Sequence, residues 1–449
     1  MSNSTRRLLT PTLAALAASV ALLLAYANKA RCTGPTFDAW GRSENFHALK
    51  NQIVCYSDIQ LLWLGRDINT KVFPYIYGTI TPDGRLEGGT VEYPVLSGVL
   101  MWLAALPSEN DADFLFYSAL ILAPFGVATA WLLGRLSGSR ALIFAATPPL
   151  VLYGFHNWDL PVVFTAVAAI YIVVACNSWS VRRRGILATA LLAVGFCLKI
   201  YPGFFILPLA LWVLTGGDRA NGRFDFRGFF AVVGTAVGTV AAINAPFLLL
   251  GFDGWRASIV FQSLRRADIT TNSLWYWGLR PFLDTDARYD EVVDLASPAL
   301  VLTTFAAAVA VGWWIYLKSG IYPWIPVSAA MLCGFLLFHK VHSPQFVLWL
   351  LPFFVLLRVP WLLIWGYLIA DLAIGVGVFR YFYDLGAGID PAGGSLLVTH
   401  IGVWGRVILL ILLVFVFLRP NGTNRSNTRP PDTPSAASMN PHIRAQNGS

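Results

Sequence analysis

Asp58 is the residue from which a chemical reading of this sequence can start. It stands in Cys55-Tyr56-Ser57-Asp58-Ile59-Gln60, a polar stretch that follows the first long apolar run. A carboxylate held at a membrane surface can accept the proton of an attacking hydroxyl and so activate a weak nucleophile. The plainer role is capping, in which an aspartate at the start of a short interfacial helix bonds free backbone N–H groups. Glu92 and Asp159 are the other candidate bases. Cationic donors for a lipid-linked phosphate are available in Lys199, Lys340, His342, Arg265 and Arg266. Sugar hydroxyls need planar polar partners and an aromatic face. Glu92, Tyr93, His156, Asn157, Asp159, Tyr201, His339, Gln345 and Trp275 are candidates for this. Each also has an ordinary explanation: a lysine that snorkels, a Trp/Tyr belt at the interface, a satisfied loop histidine.

The elements that must position these residues are apolar spans. The chain has 449 residues, of which 56% are hydrophobic and only 12% charged, about half the charge density of a soluble protein. Its apolar residues come in long runs rather than short alternating segments, which points to membrane helices and excludes a barrel. The net charge of +8 is not a nucleic-acid signal, because Arg and Lys fall in short loops between spans and at the two ends. The reading is an all-α polytopic membrane protein with about twelve transmembrane helices. They are placed at Leu8–Tyr26, Phe114–Gly134, Leu142–Phe155, Val162–Val174, Ile186–Ile200, Phe204–Leu214, Phe229–Leu250, Ala299–Leu317, Tyr322–Phe338, Phe346–Leu357, Trp361–Phe379 and Leu396–Leu418. Residues 1–418 form this multi-span domain. Residues 29–111 are a first outer loop with interfacial helices, and 251–297 a second large outer loop. Residues 419–449, rich in Pro, Ser, Asn and Thr, are expected to be a disordered cytoplasmic tail.

Charge sets the orientation. If Val95–Leu106 does not cross, then Arg135, Arg140, Arg182-Arg183-Arg184, Lys318 and Arg358 all fall on the inner side, as the positive-inside rule requires. Both termini are then cytoplasmic, in a plasma-membrane protein, and the unusual polar residues gather on the extracytoplasmic face. Ionisable residues are costly near the membrane and tend to mark sites.

Cys32 and Cys55 share the first outer loop, where a disulfide is permitted, and they are expected to be bonded. Cys176, Cys197 and Cys333 lie in apolar runs as small hydrophobes. No Cys/His metal spacing occurs. Asp111-Ala112-Asp113 is read as capping the next span and Asp284-Thr285-Asp286 as a polar loop, so no cofactor is expected and a divalent metal is not favoured.

Four motifs, in order along most of the chain, carry a family resemblance: Tyr56-Ser57-Asp58-Ile59, Glu92-Tyr93-Pro94, Lys199-Ile200-Tyr201-Pro202 and Lys340-Val341-His342-Ser343-Pro344-Gln345. With them the chain resembles the C-type membrane glycosyltransferases, most closely the actinobacterial polyprenyl-phosphate-mannose-dependent α-mannosyltransferases. The resemblance implies a general base in the first outer loop, mapping to Asp58. It also implies a polyprenyl-phosphate sugar donor, and transfer of a hexose, mannose first, to a lipid or glycan acceptor on the outer face. The sequence departs from related patterns in having a lone Asp58 rather than a tight acidic pair, and pentose-transferring relatives use similar donors. Two rival readings are a transporter or lipid flippase, for which Asp371 inside the eleventh span is the best residue, and a non-catalytic envelope scaffold. Transporter sites lie near the midplane, whereas these clusters sit at helix ends.

Overall fold

The computed structural model describes residues 3–218 and 223–419. The expected disordered tail, apart from Arg419, lies outside the described residues, as does part of the loop 218–227. The described chain is mostly helical, with almost no strand. Its paired strands are the short antiparallel hairpin Thr79–Ile80 with Leu86–Glu87, turned through Pro82-Asp83-Gly84, where Gly84 takes φ 82°.

Six helices are long and apolar enough to cross a bilayer: Leu9–Ala30, Asp111–Ala145, Phe226–Leu250, Asp286–Ser319, Trp361–Gly386 and Ser395–Phe417. This is a multi-pass membrane protein. The other apolar segments form shorter helices, Val95–Ala105, Leu160–Ala175, Tyr201–Leu214, Trp324–Phe338 and Pro344–Leu356. Proline accounts for one difference from the expected spans. Leu142–Phe155 is not one helix but two pieces, Leu142–Ala145 and Pro148–Tyr153, because a proline starts a helix and cannot continue one. Burial accounts for the short helices in the middle of the bundle. Every residue of Trp324–Phe338 except its last is buried, as is nearly all of Val347–Leu356, so these segments are apolar all round because they pack against protein on every side. Tight packing also joins the first two long helices, where a Cβ at Gly134 would come within 2.7 Å of Pro11.

The bundle has two chemically distinct ends. At one, arginines bind helix C-termini and acidic loops. Arg140 donates to the carbonyls of Phe354, Val355 and Leu357 at 2.6–3.1 Å, satisfying the free carbonyls that end a helix. Arg184 pairs with Asp218, and Arg182 with Asp225. At the other end lies the folded first loop. Cys32 and Cys55 form a disulfide with Cα atoms 5.7 Å apart. Two short helices, Phe46–Gln52 and Asp58–Gly65, flank the bond. Buried Arg42 then fastens this loop to the bundle, donating to Asp111 at 3.2 Å and to the carbonyls of Gln60 and Leu61. Asp111 therefore does not cap its helix; Asn110 does, accepting from the N–H groups of Ala112 and Asp113.

Candidate functional site

Asp58 occupies the first position of Asp58–Gly65, and Ser57 is the cap. Ser57 is extended, its hydroxyl accepts from the Ile59 N–H at 3.2 Å and donates to the Phe155 carbonyl at 2.7 Å. The Asp58 N–H donates to the His156 carbonyl at 2.8 Å, which locks the helix start onto the turn between Pro148–Tyr153 and Leu160–Ala175. With capping done by serine, the half-buried Asp58 carboxylate turns to side chains. One oxygen accepts from the Tyr56 hydroxyl at 2.6 Å and the other from Asn157 Nδ2 at 2.6 Å. Asn157 Nδ2 also donates to the Tyr93 hydroxyl at 2.7 Å. Burial, then the Asp58 charge, push the Tyr56 and Tyr93 hydroxyls well above their ordinary pKa, so both remain O–H groups.

Beneath this layer lies Lys29, at the end of the first long helix and only 2% exposed. Its ammonium donates to the Tyr56 carbonyl at 2.8 Å and stands 3.4 Å from His156 Nδ1. Burial first, then the Lys29 and Lys199 charges, hold the His156 pKa well below its usual value, so the ring is neutral.

A second carboxylate stands on the other side of Tyr93. Asp159 is fully buried, and one of its oxygens accepts from both Lys199 Nζ and Trp349 Nε1 at 2.7 Å, while the other has no partner among the described residues. Tyr201 stacks on Trp349 with ring centroids 4.4 Å apart. The Lys199 ammonium lies 5.2 Å from the centre of the Tyr93 ring. The helix Val95–Ala105 holds this turn in place: Leu96 N–H and Ser97 Oγ donate to the carbonyls of Cys197 and Leu198.

The remaining candidates divide. Glu92 is buried and paired with Arg66 at 2.7 Å. Arg265 makes no hydrogen bond or ion pair among the described residues, yet its charge acts on both Tyr93 and His339. It lines a cavity of about 340 Å³ with Phe261, Leu264 and the hairpin turn Pro82-Asp83-Gly84. His339 stacks on Phe335 at 4.5 Å. His342 is buried, its Nδ1 2.7 Å from the Leu336 carbonyl and its Nε2 without a partner. Gln345 is buried with its carbonyl oxygen free. Lys340 is paired with Asp294 at 2.8 Å.

The structure thus gathers Asp58, Tyr93, His156, Asn157, Asp159, Lys199 and Tyr201 into one cluster, with Arg265 beside it. It does not bring in Arg266, which is exposed and paired with Asp290 at 2.6 Å, or Trp275. The Trp275 ring is the centre of a satellite core with Ala267, Tyr289 and Val293, and its N–H is taken by the Phe338 carbonyl. Three participants were not expected from sequence as site residues. Tyr56 and Lys29 carried a signal, the first through its spacing from Asp58 and the second as a lysine ending an apolar run. Trp349 carried none, being one more aromatic in an apolar helix. No group of three or more metal-ligating side chains occurs among the described residues. Compared with protein-family models, curated proteins and solved structures, the chain has no match.

Proposed function

We propose that this protein is a membrane glycosyltransferase that moves a hexose, mannose first, from a polyprenyl-phosphate donor to a lipid or glycan acceptor. Asp58 is the general base, and the reaction takes place on the extracytoplasmic face of the plasma membrane. The observation that carries the reading is the state of the Asp58 carboxylate, which is relieved of capping by Ser57, partly exposed, and oriented by the neutral donors Tyr56 and Asn157. In the reaction the acceptor hydroxyl gives its proton to Asp58 as its oxygen bonds to the anomeric carbon. The bond from that carbon to the phosphate oxygen breaks, and its electron pair leaves on the phosphate. Such base assistance is typically worth about 10²–10⁴-fold.

The leaving phosphate gains charge, and Arg265 is a cation beside the cluster that no carboxylate among the described residues holds. Lys199 contributes to the field of the site while paired with Asp159, whereas Lys340 is paired with Asp294 beside His339. Three of the four motifs behind the family resemblance supply Asp58 with Tyr56, Tyr93, and Lys199 with Tyr201 to this site, which supports the lipid donor. The grouping of Arg140, Arg182 and Arg184 in short connections at the far end of the bundle supports the orientation.

The second reading, a transporter or flippase, draws on buried Asp371 within Trp361–Gly386. One experiment separates the two. Purified protein in nanodiscs is given polyprenyl-phosphate [¹⁴C]mannose, or the pentose analogue, with an envelope lipid extract as acceptor. A labelled glycolipid together with free polyprenyl phosphate supports the transferase. Movement of the intact donor between leaflets of proteoliposomes, with no glycosidic product, overturns it.

A further inference from the structure

A second polar cluster lies inside the bundle, on residues the proposed transfer does not use. Asp371, on Trp361–Gly386, is 1% exposed, and its carboxylate oxygens make no close hydrogen bond among the described residues, although the Tyr153 hydroxyl acts on them. Arg406, on Ser395–Phe417, is 2% exposed with Nε and one terminal nitrogen equally unpartnered. The Tyr367 hydroxyl, one turn before Asp371, and His342 Nε2 are buried and unpartnered too. Tyr153 closes the group, its hydroxyl 3.4 Å from the Asp371 carbonyl. The Arg406 charge acts on all four of the others, so the side chains share one interior region. Room for Tyr153 depends on Gly375, where a Cβ would fall 2.0 Å from the tyrosine hydroxyl.

We propose that Asp371, Arg406, Tyr367, Tyr153 and His342 enclose an internal binding site for a small neutral hydrogen-bonding ligand, and that this ligand is a cluster of water molecules. Charged groups left without partners in a bilayer interior are costly. The free atoms include acceptors, the carboxylate oxygens, and donors, the guanidinium N–H groups, within one site. With Asp371 ionised, the two opposite charges leave the site close to neutral. A cation would be drawn to Asp371 but repelled by Arg406, and an anion the reverse. Water donates and accepts, needs two to four polar partners, and bridges nearly as well as a direct hydrogen bond. The helix that carries Asp371 also carries Phe379, about two turns beyond it, which stacks on Tyr56 at 5.3 Å.

The test does not depend on the transferase reading. The full chain in lipid nanodiscs is exposed for milliseconds to X-ray-generated hydroxyl radicals, which mark side chains beside bound water. After correction for ring type, Tyr367 and Tyr153 should label several-fold faster than Phe354, which is fully buried and packs on Tyr367 at 5.6 Å. A ratio near one, whether all three label fast or all three slowly, overturns the proposal. Replacing Asp371 and Arg406 together by leucine should bring Tyr367 down to the Phe354 rate. Labelling of Tyr367 that stays high in that folded variant also overturns it.

Discussion

Asn157 donates its amide to Asp58 at 2.6 Å across a sequence separation of 99 residues, and the same nitrogen reaches the Tyr93 hydroxyl. One side chain thus ties the first loop, the turn before Leu160–Ala175 and the entry to Val95–Ala105 into a single layer. That layer leaves Asp58 as an oriented acceptor rather than a structural cap.

The loop that carries Asp58 is held by Arg42 and Asp111, both buried, and Asp111 also accepts from Ser43 N–H at 3.1 Å. Removing one partner of a buried pair strands the other charge, at about 3–5 kcal/mol. Arg42→Ala should therefore lower the thermal unfolding midpoint markedly and expose the first loop to protease. An unchanged midpoint would show that the disulfide and the small helices hold the loop without this pair.

Three of the cations expected at the site should separate when neutralised. Lys199→Gln leaves Asp159 buried without its cation and should destabilise the fold by about 3–5 kcal/mol. Lys340→Gln loses a pair whose aspartate is more than half exposed, worth about 0–1 kcal/mol. Arg265→Gln should leave stability untouched but weaken donor use about tenfold or more, the loss of a charge-assisted contact of roughly 1.5–3 kcal/mol. Unfolding midpoints and the donor KM of the three variants decide this. Equal KM for Arg265→Gln and the native chain would take that residue out of the phosphate site.

Acid should weaken the fold through His339. Burial first, with the Lys340 and Arg265 charges after it, holds this imidazole down to about 4. The unfolded chain titrates near 6.5. Between these values the unfolded state binds the extra proton, so stability is full above about 6.5 and falls as pH drops towards 4. His339→Gln should flatten that part of the pH-stability profile. An unaltered slope would assign the acid response to other groups.

The long apolar runs and the gathering of polar motifs at one set of helix ends were legible in the sequence, because hydropathy and charge are local properties. The partners were not. Lys199 and Asp159 are 40 residues apart, and nothing near either one shows that they pair. The capping of Asp111–Ser137 was misplaced for a related reason. Asn110 and Asp111 are both good cap residues, and only the position of Arg42 shows that the aspartate is otherwise engaged. Leu142–Phe155 reads as a span by hydropathy, but Pro148 breaks it. Trp349 is invisible among apolar neighbours because a tryptophan N–H shows its use only when its partner is in place.

Asp58 and Ser57 allow the base and the cap to be tested apart. Asp58→Asn keeps the size and can still accept from Tyr56, but it presents an amide where Asn157 donates and cannot take a proton. Ser57 still caps the helix, so unfolding should change little, while transfer falls about 10²–10⁴-fold at unchanged donor binding. Ser57→Ala removes the cap and the bond to Phe155. It should destabilise by about 0.5–2 kcal/mol and leave most of the transfer rate in protein that remains folded. Asp58→Asn should therefore lower the rate and spare the midpoint, and Ser57→Ala should lower the midpoint and spare most of the rate. If Asp58→Asn transfers sugar at near the native rate, the base is Glu92 or Asp159, and Asp58 serves only to fix Asn157 and Tyr56.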